Sequence, residues 1–380
     1  MNELTQPQCF KVTHLTSVHR RYDPRIFIRI CSSLAANGYS VWLVVADGLG
    51  DEVKNGVSIV DVGATKTGGR LARMTITVKR VFQAAKELDA DIYHFHDPEL
   101  IPIALKLKGL GRTVIFDIHE NTGMQILCKY WMPLYFRKLA SIVYEKYESW
   151  ACKQFDMLFV PQLAMQENYK NLNSTELIGN FPSIIDAPSS LDSSNKSKYR
   201  LLYSGGLGDA RGLFNMLDLI SELKLLDIRY TLTLAGPIKS KSLQKAQMHK
   251  GWKYTNYLGV LTKEQVYEEY LSNSVGLILL NKIGQYYMAY SLKLFEYMMF
   301  GMVVIMPDFG DWVPFNKKNQ VGINVPVDNS KYIANSIHSL SDENFDNYCS
   351  NGIRMVESKF NWEKQEKDLF HSYDKLLNAK

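Results

Sequence analysis

At 380 residues the chain is long enough for two domains of ordinary size or three small ones, and 46% hydrophobic with 22% charged residues is a globular rather than a disordered makeup. The net charge of +5 comes from Lys and Arg spread along the chain, which leaves no footprint for nucleic acid. No apolar run reaches about 18 residues, the N-terminus lacks the apolar stretch of a signal peptide, and the five cysteines (9, 31, 128, 152, 349) show neither a CxxC pair nor metal-ligand spacing, so a cytoplasmic protein with reduced thiols is expected.

In chain order, FKVTHLTSV (10–18) reads as a strand, followed by a helix in RIFIRICSSLAANG. There Ile26, Ile30 and Leu34 recur at helical spacing, and Gly38 ends the run. Strands follow at 39–47 and 57–63, then a basic helix over about 71–88 and a strand at 91–97. ELIPIALKLKGLG reads as a helix and 112–120 as a strand. Helices alternating with nearly continuous apolar strands predict an α/β fold with a doubly wound parallel sheet.

The Ser-, Pro- and Asp-rich stretch 181–198 has little to bury and reads as a linker. The pattern then restarts, with strands at 199–206, 230–237, 253–259, 275–281 and 302–308. The reading is two domains, 1–185 and 186–360, with a C-terminal helix over about 361–380 packing back on the first. Two such domains imply a cleft lined by the loops at the carboxyl ends of their strands.

Five stretches can carry chemistry, each with a plainer alternative. YSGGLGDARG (203–212) puts Gly205 and Gly206 between a strand and a helix, where backbone N–H groups can approach a phosphate. It is not a GxGxxG fingerprint, because Arg211 stands where the third glycine would fall; that guanidinium could pair with a diphosphate or simply be solvated. In SLKLFEYMMFG (291–301), Ser291 is placed to cap a short helix and Gly301 to end it. Lys293 makes the helix start electropositive, while Glu296 among apolar neighbours needs either an exposed face or a specific partner.

DIYHFHDPEL and VIFDIHEN end two strands and gather His94, His96, Asp97, Asp117, His119 and Glu120. Alternation puts His94 and His96 on one face and Asp117 and His119 on another. HxH plus DxHE is not a recognised zinc spacing, so no metal is expected. SVHRRYDPRIF (17–27) crowds Arg20, Arg21, Asp23 and Arg25 into a loop that reads either as an acceptor or anion contact or as a solvated charged loop. The segment 124–155 mixes aromatics with Lys129, Arg137, Lys138, Lys146 and Lys153, as helices lying on anionic membranes do. Core-facing aromatics explain much of that stretch equally well.

Together HLTSVHRRYDPRIFIRICSSLAANGYSVWLVV, HDPEL, FDIHEN, YSGGL…RG, LAGP and SLKLFEYMMFGMVVI resemble, in order and over nearly the whole chain, the retaining glycosyltransferases of family 4, of the bacterial surface-polysaccharide type. The resemblance implies the GT-B fold, two Rossmann-like domains facing each other across a cleft. It implies a UDP- or GDP-sugar donor on the second domain, held by Gly205, Gly206, Arg211, Lys293, Leu294 and Glu296, the last on the ribose. The acceptor, a saccharide and by expectation a lipid-linked one, would meet the first domain at Arg20, Asp23 and Arg25, with His119, Glu120 and Asp97 as catalytic residues.

Two positions depart from the family pattern. Met288 stands where the first glutamate of E-x7-E should be, and Gly206 where many members carry a basic residue. Retention without a carboxylate nucleophile implies front-face attack, and no bound cofactor or metal is expected. The biological setting implied is O-antigen, capsule or exopolysaccharide synthesis, with peripheral contact to an anionic membrane at its inner face. The rival readings are a sugar-nucleotide epimerase of the same fold and a non-catalytic partner in a glycan-assembly complex.

Overall fold

The computed structural model describes residues 10–65, 69–129, 131–188, 197–288 and 290–378; Cys9 and residues 189–196 of the expected linker lie outside them. Two compact units divide the chain, one running to Asn180 and resuming at Gln365, the other from Phe181 to Lys364.

The first unit holds β1 (Lys11–Leu15), β2 (Ser40–Val45), β3 (Glu52–Lys54), β4 (Val57–Asp61), β5 (Ile92–Phe95), β6 (Thr113–Asp117), β7 (Met157–Val160) and β8 (Thr175–Leu177). Their order is β3-β4-β2-β1-β5-β6-β7-β8, parallel throughout except that β3 runs antiparallel to β4. The second unit holds β9 (Arg200–Ser204), β10 (Thr231–Ala235), β11 (Thr255–Tyr257), β12 (Val275–Leu277), β13 (Val303–Pro307) and β14 (Gly322–Val325), all parallel in the order β11-β10-β9-β12-β13-β14. Both orders reverse direction beside the unit's first strand, between β1 and β5 and between β9 and β12. Such switch points open a crevice at the carboxyl ends of the strands.

Burial explains the strands. β5, β6, β7 and β13 are buried at every position, as parallel strands covered by helices on both faces must be. Strands at 10–18, 91–97 and 112–120 shorten to 11–15, 92–95 and 113–117, because the polar residues at their ends turn into loops. The helix expected after β1 begins as a wide turn at Pro24–Cys31 and tightens over Ser32–Ala36. Asp23 caps it, accepting from the amides of Arg25 and Ile26, and Pro24 needs no partner at the first helical position.

The stretch after Asn180 is less free than its composition suggests. Phe181 packs on Phe295 and Phe360, and Pro182 O accepts from Trp362 N at 2.8 Å. Two aromatic contacts outweigh the polar residues around them. The last helix, Trp362–Asn378, ties into the first unit through Gln365, which accepts from Gly179 N and donates to Leu177 O, both at 2.8 Å. Cys31, Cys128, Cys152 and Cys349 form no disulfide among the described residues; burial pushes the pKa of Cys31 and Cys152 up, which leaves those two inert packing groups.

Candidate functional site

In the second unit the switch point is built from four segments. β9 ends in Ser204 and passes into Gly205 at φ 126°. A Cβ on Gly205 would stand 2.8 Å from Lys293 Nζ, so glycine satisfies both the backbone angle and the space. Gly236, after β10, sits closer still: a Cβ there would lie 2.0 Å from Gly205 O. A short turn at Asp209–Arg211 follows, clamped by Asn281, whose side chain donates to Asp209 O at 2.8 Å and whose amide donates to Ala210 O at 3.2 Å. Arg211 is exposed at the end of that turn, 5.9 Å from the Tyr286 ring centroid. Gly206 carries no side chain into this space, and nothing lies within 4 Å of where its Cβ would be.

The fourth segment is the helix Leu292–Met299. Ser291 takes the N-cap backbone geometry, but its hydroxyl caps nothing and is buried without a hydrogen-bond partner among the described residues. Gly301 does end the helix, at φ 59°. Lys293 points inward, 8% exposed, with Nζ 3.9 Å over the Tyr203 ring and no hydrogen-bond partner among the described residues. Burial, and then the charge of Arg211, push its pKa down to about 7, while Glu296 pulls the other way. Leu294 is fully buried and anchors the turn. Glu296 is half-buried and accepts from Tyr270 OH at 3.0 Å; Tyr270 also shares a 2.7 Å hydrogen bond with Ser204 Oγ. Met288 lies at intermediate exposure, just after the turn Gly284–Tyr287.

In the first unit the candidate residues meet at the ends of β1, β5 and β6. Phe95 pairs with Phe116, so His96 and Asp117 project from the same face of the sheet, opposite the apolar cluster that holds Phe95 and Phe116. Strand alternation by itself separated the two pairs; in-register parallel pairing joins them. His96 Nδ1 lies 3.1 Å from Asp117 Oδ2 and 3.2 Å from His119 Nε2, and His119 Nε2 lies 3.0 Å from Asp117 Oδ2. His14 Nδ1 reaches His96 Nε2 at 3.0 Å, and His94 Nδ1 reaches Tyr373 OH at 2.7 Å. Burial pushes the pKa of His14 and His94 down, and that of His96 to about 4, so these three imidazoles are neutral at pH 7. Two groups, His14/His94/His96 and His96/Asp117/His119, bring potential metal-ligand atoms within 4.8 Å of one another.

Arg25 departs from the expected loop. It is buried in the first turn of the Pro24–Cys31 helix and grips Asp117 with two bonds, at 2.6 and 2.9 Å, while Nη1 donates to Ile178 O. The helix set by Asp23 and Pro24 turns the Arg25 side chain inward, so Arg25 is not available to a ligand as a loop residue would be, while Asp23 stays partly exposed with one carboxylate oxygen engaged in the cap. Arg20 is exposed. Arg21 is also buried, held by Asp47 and Glu52.

Asp97 is 2% exposed and accepts from Thr16 Oγ1, Ser17 N, Ser17 Oγ and Val18 N at 2.6–3.2 Å, with His19 Nδ1 2.9 Å from its other oxygen. Burial would raise its pKa, but His19 and these donors hold it well below the usual carboxylate range. Its lone pairs are spent on fixing the loop after β1. Glu120 is exposed, and His119 is one-fifth exposed beside it. The site residues that sequence reasoning passes over are Tyr203, Tyr270 and Tyr373, aromatics that read as core in any sequence.

Comparison with known proteins places the chain among glycosyltransferase folds. Residues 25–180 match the family model described as Glycosyltransferase Family 4. No curated protein sequence matches the chain. Among solved structures, sucrose-phosphate synthase from Thermosynechococcus elongatus superposes with a TM-score of 0.73 at 16% identity, over 98% of this chain and 100% of that one. Anabaena HepE, solved with UDP and glucose, gives 0.70 at 12% over 96% and 100%. The E. coli trehalose-6-phosphate protein bound with UDP-2-fluoro glucose gives 0.70 at 12% over 95% and 98%.

The two parallel sheets and these superpositions define the fold class as GT-B. With a family 4 domain matched in its first unit, the chain is a glycosyltransferase. No helix among the described residues is long and apolar enough to cross a membrane.

Proposed function

We propose that this enzyme moves a sugar from a UDP- or GDP-sugar to a saccharide acceptor, with retention at the anomeric carbon. One observation carries the reading: a buried lysine, Lys293, whose Nζ has no hydrogen-bond partner among the described residues, beside a glycine turn and at a helix start. Such a group costs free energy unless an anion completes it. A diphosphate fits the need, with Lys293, Arg211 and the amides around Gly205, Gly206 and Leu294 as its donors and Glu296 on the ribose. Two neighbours were solved with UDP or a UDP-sugar, which favours UDP as the nucleotide.

In the proposed reaction the bond from the anomeric carbon to the diphosphate oxygen breaks while the acceptor oxygen bonds to the same face. The acceptor's proton passes to the departing phosphate oxygen. The charges on the second unit stabilise that leaving group without reorganising, and no metal is required of them. His119 would face the transferred sugar with Glu120 beside it, and Asp97 acts as a positioning residue through the loop it holds. Met288 leaves a thioether where the family pattern has a carboxylate, so it shapes which sugar fits.

For the acceptor we propose a lipid-linked saccharide of O-antigen, capsule or exopolysaccharide assembly, with Arg20 the exposed member of the acceptor loop. The names of two neighbours, which concern sucrose-phosphate and trehalose-6-phosphate, supply the rival class, a sugar phosphate.

A thermal-unfolding scan with UDP, GDP or ADP tests the donor half. Nucleotide at about 100 times its dissociation constant adds roughly 2.7 kcal/mol and should raise the midpoint by several degrees. A shift with UDP, absent with ADP, is expected. No shift with any of the three would favour the non-catalytic partner.

A further inference from the structure

The helix Leu134–Cys152 touches its own unit by a narrow stripe, in which Ser141, Glu148, Ala151 and Cys152 are buried. Glu148 is satisfied there by Tyr144 OH and Tyr169 OH, each at 2.7 Å. On the opposite side Tyr135, Phe136, Leu139, Ile142, Val143 and Trp150 are 48–73% exposed, and Trp131 in the preceding turn is 76% exposed. At about 100° per residue the six helical positions fall within an arc of roughly 120°, facing away from the buried stripe. Single exposed apolar residues are ordinary on a protein surface. A contiguous stripe of six, three of them aromatic, is not.

The charges interleaved with this stripe have one sign. Lys146 and Lys153 lie within the arc, both exposed, and Lys138 flanks it. The helix's other acid, Glu145, sits on the flank next to the buried stripe, where its Oε1 accepts from Ser141 Oγ at 3.2 Å. A second protein would more often meet such a face with a core depleted of lysine. Tyr and Trp with lysines among them suit the boundary between acyl chains and anionic headgroups, where the rings enter the interface and the ammonium groups reach phosphate.

We infer that the exposed face of Leu134–Cys152 is a docking surface for an anionic lipid bilayer. It seats the first unit on the membrane in the plane of the headgroups, through Trp131, Tyr135, Phe136 and Trp150 together with Lys146 and Lys153. This surface needs no nucleotide and is independent of the donor site, so either reading can fail without the other.

Sedimentation of the full chain with vesicles tests it, in the absence of nucleotide. Vesicles of equal parts phosphatidylglycerol and phosphatidylcholine should bind the protein at low salt and hold it more weakly at high salt, and pure phosphatidylcholine should bind it less. Lys146→Glu with Lys153→Glu should weaken the binding by roughly tenfold or more. Phe136→Ser with Trp150→Ser should abolish it while leaving the unfolding midpoint and any nucleotide shift unchanged, since both side chains are exposed. The proposal is overturned if the wild-type chain ignores the mixed vesicles, or if the serine variant binds them equally well. A wild-type dimer in analytical ultracentrifugation that the serine variant dissociates would also overturn it, in favour of a second copy.

Discussion

Exchanging Lys293 for methionine should give a protein that unfolds at a higher temperature and responds much less to nucleotide. The two effects have one cause. Methionine keeps the length and apolar stem of lysine while removing a charge that is buried without a hydrogen-bond partner among the described residues. With the pKa held at about 7 against an ordinary 10.5, the unfolded chain binds more protons than the folded one between those values. Stability contributed by this group is therefore lowest below pH 7 and recovers as pH rises towards 10.5. At pH 7 the penalty is about 4 kcal/mol, an order-of-magnitude figure. The nucleotide meanwhile loses a charge-assisted hydrogen bond of roughly 1.5–3 kcal/mol, or about ten- to a hundredfold in affinity. A core lysine with a purely structural role would show the opposite pattern, a lower midpoint and an unaltered nucleotide shift.

Arg25→Met should be the most damaging single change in the first unit, costing about 3–5 kcal/mol. It strips Asp117, fully buried, of two of its hydrogen bonds and of the cation that compensates its charge, leaving the imidazoles of His96 and His119 beside one of its oxygens. It also removes the donor to Ile178 O. Urea unfolding of the variant should show the loss, and adding Asp117→Asn should recover part of it, because a neutral amide needs no counter-charge. An unchanged midpoint for Arg25→Met would mean that the pair is not buried as described.

The two predictions mark what a sequence can reveal. The strands were legible because parallel strands covered on both faces are continuous apolar runs, as in β13, VVIMP. The short strands β3, β8 and β14 were not, since three or four residues of mixed polarity carry no period, and the four-residue apolar β7, MLFV, was passed over behind the long helical segment before it. In the second unit, Gly205, Arg211, Lys293 and Glu296 stand out as motif residues, and the fold gathers all four at one switch point. What the motif could not tell is that Lys293 is buried without a hydrogen-bond partner among the described residues, because that depends on Tyr203 and Gly205 in another segment. In the first unit the charged residues after β1 read as a loop facing solvent. Asp23 and Pro24 instead start a helix there, and a buried carboxylate 92 positions further on draws Arg25 inward. Composition identifies a charge but not its partner. Tyr270 and Tyr373 were invisible for the complementary reason: a tyrosine on a helix looks like core until a hydrogen bond shows what its hydroxyl does.

Whether Lys293 meets a diphosphate is tested most directly by calorimetric titration of UDP at pH 8, in buffers of different ionisation heat. At this pH the free protein carries Lys293 mostly unprotonated, and a bound diphosphate restores the charged form. The expected result is an uptake approaching one proton per UDP bound, seen as a binding heat that changes with the buffer. Binding with no proton uptake would contradict this reading, since it would place the nucleotide away from Lys293.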